Sequence, residues 1–140
     1  WEDELYHRYG VFCGLSDPAV WILYGLYEDT EQILTQNDLV STWFYPKQTI
    51  NYTVNTLVKR GWIKLEQLPV ARNSKAILLT DEGRRICEEK ILPLMQAEEN
   101  SLSRMTEQER ELLLRLAKKQ MTYFEEEIQK ITGGKSEKAL

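Results

Sequence analysis

The chain has 140 residues, of which 42% are apolar, 29% charged and 10% aromatic, and its net charge is −4. That length fits one domain, or one compact module with helical extensions, and the composition is globular rather than disordered or fibrous. It excludes a helical membrane spanner, since the longest apolar run, Ala19–Tyr27, has nine residues with Gly25 inside, against about 20 for a bilayer crossing.

The opening Trp1-Glu2-Asp3-Glu4 is acidic, where a secretory signal would be basic, so no leader is expected, although no Met starts the chain. Two cysteines, Cys13 and Cys87, suit a reduced cytoplasmic chain better than a stapled secreted one. The single histidine, His7, leaves no material for a two-His catalytic centre or a His-rich metal site.

Taken in chain order, Trp1–Cys13 reads as a helix, with Trp1, Leu5, Tyr9 and Phe12 on one face and Gly14 as its stop. Ser16 and Asp17 before Pro18 make a helix start. Ala19–Tyr27 is apolar nearly all round, the mark of a short helix buried on most sides. Glu28–Glu31 is a polar connection. Thr35-Gln36-Asn37-Asp38 is a second start, with Thr35 as cap and Asp38 near the positive helix end. That helix reaches about Trp43, where Tyr45-Pro46 interrupts.

Pro46 should open the next helix in its first turn, and Gly61 should close it after Arg60. Trp62–Glu66 and Lys75–Leu79 are strand-like and joined by a Pro69- and Asn73-containing loop, a two-stranded ribbon. Thr80-Asp81 starts a long helix carrying Ile86, Ile91, Leu94, Met95 and Leu102, which Pro93 should kink. Thr106-Glu107-Gln108-Glu109 is a capping box. The last helix carries Leu113, Leu116, Phe124, Ile128 and Ile131 on one stripe and ends at Gly133-Gly134. A helix–turn–helix followed by a β-ribbon is the winged-helix pattern. The expected fold is mainly α with that small ribbon: a winged lobe over residues 20–85, a helical dimerisation region over 1–19 and 86–132, and a flexible tail over 133–140. The apolar stripes outside the lobe call for a second copy of the chain, a homodimer.

Charge separates the lobe from the rest. Pro46–Lys75 holds six basic residues (Lys47, Lys59, Arg60, Lys64, Arg72, Lys75) and one acid, Glu66, a net +5 that leaves −9 elsewhere. A basic surface on an acidic body is the footprint to test for phosphate contact. On the Pro46–Arg60 helix, Ile50, Val54, Leu57 and Val58 form the apolar side; Gln48, Asn51, Tyr52, Asn55 and Lys59 form the other, flanked by Thr49, Thr53 and Thr56. An ordinary solvated face is rich in Glu and Lys, whereas this one is rich in amides. Asn and Gln offer donor and acceptor together, matching the adenine edge in the major groove of double-stranded DNA. Lys47 and the helix start suit phosphate, as do Thr35 and Gln36 opening the preceding helix. Arg72-Asn73-Ser74-Lys75 at the ribbon tip would reach the minor groove or its phosphates.

These segments resemble the MarR family, the multiple-antibiotic-resistance-type regulators. Ser16–Leu23 is similar to the start of the family's second helix and Thr35–Ile63 to its helix–turn–helix. Asn73–Arg85 looks like its wing strand and following helix, and Leu102–Leu116 like the junction into its final helix. Pro46-Lys47-Gln48-Thr49-Ile50-Asn51 and Leu79-Thr80-Asp81-Glu82-Gly83-Arg84 are the most specific parts. The resemblance implies a homodimeric DNA-binding transcriptional regulator, a repressor or activator at a palindromic operator. It implies Gln48, Thr49, Asn51, Tyr52 and Asn55 on the groove side and Arg72 as the wing arginine. One departure stands out: many members brace the wing with an Asp two residues before an Arg, whereas Leu68-Pro69-Val70-Ala71 carries neither charge.

The resemblance also implies a small-molecule effector pocket between the dimer helices and the lobe, which when filled either releases the protein from DNA or helps it bind. Tyr6, Tyr9, Phe12, Trp21, Tyr24, Trp43 and Tyr45 fall near that place in sequence. Their rings suit a planar aromatic ligand, phenolic or carboxylate, and each also suits ordinary core packing. Some relatives sense peroxide with a first-helix cysteine, but Cys13 lies at the end of its helix, where the dipole disfavours a thiolate. No Gly-rich phosphate loop, nucleophile motif or metal cluster is present, so no enzyme, cofactor or metal is expected. A membrane partner is not expected either. The competing reading is a winged-helix protein-interaction module without DNA binding.

Overall fold

The computed structural model describes residues 1–29, 31–43, 45–69 and 75–133. Two compact units divide the chain, Trp1–Met95 and Gln96–Leu140.

The first unit opens with α1 (Glu2–Cys13), closed by Gly14 in the left-handed region at φ 70°. The tight turn lets Leu15 N–H reach the Gly10 carbonyl at 2.8 Å. In α2 (Asp17–Glu28) the Ser16 hydroxyl accepts from Ala19 N–H and Pro18 sits in the first turn, where its missing N–H costs nothing. The nearly all-round apolar sequence of α2 is buried accordingly at Ala19, Val20, Ile22, Leu23 and Leu26.

The ribbon has a third strand. Leu34–Thr35 forms β1, paired antiparallel with β3 (Lys75–Leu79), which also pairs with β2 (Ile63–Gln67), giving the order β1-β3-β2. The register sets Leu34 against Ile77 and Leu65 against Ile77 from the other side. Two residues are too few for period-2 alternation to announce a strand, so β1 is defined by its partner.

α3 (Gln36–Trp43) begins with a reciprocal cap. The Thr35 hydroxyl accepts Asp38 N–H at 3.2 Å, and the Asp38 carboxylate accepts Thr35 N–H at 2.9 Å. α4 runs Lys47–Lys59 with Pro46 as its N-cap rather than a first-turn residue. Arg60 caps the other end, and Gly61 at φ 75° turns the chain into β2. The Thr80 hydroxyl caps α5 (Asp81–Lys90) through Gly83 N–H at 3.0 Å and donates to the Gly61 carbonyl. Gly83 lies so close to the Trp62 backbone that a Cβ would stand 1.8 Å from the carbonyl oxygen.

The core joins Ile22 and Leu23 of α2, Leu39 of α3, Ile50, Val54 and Leu57 of α4, Ile63 of β2, Ile77 of β3, and Cys87, Ile91 and Leu94. Each large aliphatic side chain taken from water contributes about 1.5–3 kcal/mol. The kinked long helix expected after Thr80 is two helices, α5 and α6 (Leu92–Ser103). The break falls at Ile91, and Pro93 sits in the first turn of α6, a start rather than a kink.

In the second unit α7 (Glu107–Thr132) is capped by the Thr106 hydroxyl on Glu109 N–H and ended by Gly133 at φ 70°. None of its residues is buried. Leu113, Leu116, Phe124, Ile128 and Ile131 lie exposed on one stripe. At about 100° per residue, Leu112 and Tyr123 flank them on one side and Leu114 and Met121 on the other.

Candidate nucleic-acid interface

α4 presents the amide-rich face the sequence indicates. Ile50, Val54 and Leu57 point inward, each no more than 1% exposed. This leaves Lys47, Gln48, Tyr52, Asn55 and Lys59 exposed and Thr49 and Asn51 half-buried. Two positions differ from the simple wheel. Val58 is 38% exposed, and Thr53 takes the inward place at 5%. Thr53 can do so because its hydroxyl donates to the Thr49 carbonyl at 2.8 Å, which satisfies the polar atom within the helix. Thr56 bonds the Tyr52 carbonyl in the same way at 2.9 Å, so neither hydroxyl is committed to the outer face.

Tyr52 is 76% exposed. It also borders a shallow cleft with Ser16 and Arg60 at the foot of α2. The Arg60 guanidinium lies 4.8 Å from the Trp62 ring centre, a cation–π contact that holds a positive charge at the end of α4. Thr35 and Gln36 are half-buried at the start of α3. The Thr35 hydroxyl is engaged with Asp38 N–H, so the backbone start of α3 remains the surface it can offer. Lys75 is exposed at the head of β3, opposite Gln67. Arg72, Asn73 and Ser74 lie outside the described residues. Lys59, Arg60 and Lys64 are exposed beside this face. Lys59 lies on the outer face of the helix wheel, whereas Arg60 and Lys64 belong to the basic run, where spacing alone does not separate phosphate contacts from solvated charge.

The aromatic residues divide. Trp21, Tyr24, Trp43 and Tyr45 line a cleft of about 470 Å³ together with Asp3, Gly25 and Glu28. Tyr6 joins Trp21 and Tyr45 around a neighbouring cleft of about 310 Å³ with Asp3, His7 and Asp17. The Tyr6 and Trp21 ring centres are 4.8 Å apart, and Trp21 and Tyr24 5.6 Å. Tyr9 and Phe12 line neither cleft. Tyr9 donates to the Lys90 carbonyl at 2.7 Å. Its phenol is pushed up to about 12, by burial first and then by the neighbouring Cys13 thiol. Phe12 is 84% exposed. His7 Nδ1 stands 2.9 Å from the Asp17 carboxylate, on the rim.

Asp3, Asp17, Gly25 and Glu28 line these clefts without having been read as pocket residues from the sequence. Glu28 had a signal: Trp21, Tyr24, Gly25 and Glu28 are spaced i, i+3, i+4, i+7, one face of α2. Among the described residues no group of three or more His, Cys, Asp or Glu is arranged to hold a metal ion. No described helix is long and apolar enough to cross a membrane.

Residues 14–72 match the model of the MarR family. No curated protein matches the chain by sequence. Among solved structures, Staphylococcus aureus MepR in its DNA-binding conformation aligns with a TM-score of 0.74 at 19% identity, covering 88% of this chain and 92% of that one. A putative MarR-family regulator from Listeria monocytogenes, solved with a 26mer DNA, aligns with a TM-score of 0.67 at 19% identity, over 98% and 90%. The structure of MarR gives 0.62 at 23% identity, over 94% and 86%. The fold is the winged helix of these proteins.

Proposed function

We propose that this chain, whose helix–turn–helix segment is of the MarR family, is a sequence-specific DNA-binding transcriptional regulator. It acts as a homodimeric repressor on a palindromic operator in the cytoplasm. The observation that carries the reading is the outer face of α4. Exposed Lys47, Gln48, Tyr52 and Asn55 stand in a stretch from Leu39 through Leu65 without a single acidic residue.

On docking, Gln48 and Asn55 offer paired donors and acceptors to base edges, with Asn51 and Thr49 beside them. Lys47 and the start of α4 hold a phosphate, as do Thr35 and Gln36 at the start of α3. The wing, Arg72, Asn73, Ser74 and Lys75, reaches the adjacent minor groove. The second copy covers the apolar face of α7 and the exposed Trp1, Leu5 and Phe12 of α1. Likeness to proteins solved on DNA supports the same reading. A small aromatic ligand in the cleft against α2 would release the complex.

The test is the salt dependence of duplex binding with Lys47→Ala and Lys75→Ala. A DNA reader loses affinity across all sequences, and its log–log salt slope falls by about one for each phosphate contact removed. A slope unchanged by both substitutions would contradict the reading and favour a protein-interaction module.

A further inference from the structure

We propose that the cleft walled by Trp21, Tyr24, Trp43 and Tyr45 and edged by Asp3 and Glu28 binds an organic cation, a quaternary ammonium carrying an aromatic group, and that this cation is the effector. The effector role rests on the regulator reading above; the binding itself does not.

Gly25 makes room for one of the walls, Trp43. A Cβ there would stand 3.3 Å from Trp43 Cζ2 and 3.4 Å from Cη2, so the missing side chain lets the indole lie against α2. The space, about 470 Å³, suits a small organic molecule. It continues past Trp21 and Tyr45 into the neighbouring cleft, which adds Tyr6 and Asp17. Every formal charge on the described lining of the two clefts is a carboxylate: Asp3, Glu28 and Asp17. Asp17 is shared with His7, the one basic side chain there. Beyond Gly25 and Trp43 a third cleft adds Asp29 and Asp38.

The field of these groups reaches the walls. The Tyr45 phenol is held above its ordinary range, first by burial and then by Asp17 and Asp3. A phenolate or carboxylate ligand would meet like charge here. A cation meets the negative faces of the rings and the carboxylates together. The occupant would also touch Trp43, which ends α3, and Tyr45, two residues before α4 begins at Lys47. Whatever it prefers in the position of that turn it imposes on the recognition helix, and DNA binding acts back on it equally.

The full chain is titrated without DNA, by calorimetry, with benzyltrimethylammonium, its neutral isostere neopentylbenzene, and salicylate. The cation should bind at least about fivefold more tightly than either. Asp3→Asn with Glu28→Gln should weaken it about three- to tenfold with the melting temperature unchanged, and Glu2→Gln with Glu4→Gln should leave it alone. Salicylate or the isostere binding as tightly, or the Asp3/Glu28 variant binding the cation like the parent, would overturn the inference. Saturating cation should shift duplex affinity at least about fivefold, and an unchanged affinity would remove the effector role. Because binding is read without DNA, a chain that takes the cation but no duplex contradicts the regulator reading alone.

Discussion

At the residue scale, exposed and buried positions on one helix carry different consequences. Gln48 and Asn55 are exposed to solvent, so Gln48→Ala and Asn55→Ala should leave the melting temperature in place. Each should reduce discrimination between operator and random duplex by about 1–3 kcal/mol, read by competition anisotropy. Gly83 is the opposite case: a methyl group there collides with the Trp62 carbonyl. Gly83→Ala should cost about 3 kcal/mol or more in urea unfolding, since backbone must move.

Cys87 is fully buried, and burial pushes its thiol up to about 12 from an ordinary 9.0. The native state therefore keeps the thiol neutral where the unfolded chain has begun to ionise. Its contribution is complete below pH 9 and is lost as pH rises from there to about 12, at up to about 1.4 kcal/mol per pH unit. Urea midpoints should fall across that window. Cys87→Ser should flatten the fall, and an equally steep fall in that variant would place its cause elsewhere.

At the scale of elements, capping and turn chemistry were the most legible features. Thr80 holds two segments at once, Gly83 N–H of α5 and the Gly61 carbonyl before β2. Thr80→Ala should cost about 1–2 kcal/mol, and Thr80→Ser should recover most of it, by thermal or urea unfolding. The Ser16, Thr35, Thr80 and Thr106 starts and the Gly14, Gly61 and Gly133 stops could be read from sequence because each is a local bond or a local φ. β1 could not, because its strand character comes from β3, more than forty residues away. Pro93 misled for a related reason: the same residue kinks a helix interior or starts a new helix, and the break at Ile91 decides which. Thr53 and Val58 exchanged their expected places because a threonine that bonds its own helix can be buried. The cleft was half legible. Its rings were named, but the carboxylates that give it a sign come from α1 and the end of α2, and only folding sets them together.

At the scale of the molecule, two helices expose apolar faces among the described residues. α7 exposes Leu113, Phe124 and Ile128, and α1 exposes Trp1, Leu5 and Phe12. A helix gains most of its stability from packing one face, so a 26-residue α7 with no buried side chain points to a second chain. Phe124→Glu with Ile128→Glu should convert a dimer to monomers in sedimentation velocity and cut operator affinity at least about a hundredfold, since one half-site then binds alone. A dimer surviving that change would place the interface elsewhere.

Dimeric, sequence-specific DNA reading is tested most directly by selection from a random duplex pool at two salt concentrations. Two recognition helices related by a two-fold axis should enrich a palindrome whose half-site centres lie about 34–36 Å apart, held with a steep salt slope. The Gln48→Ala/Asn55→Ala protein should fail to enrich that sequence. No enrichment by the parent chain at either salt concentration would contradict sequence-specific DNA binding.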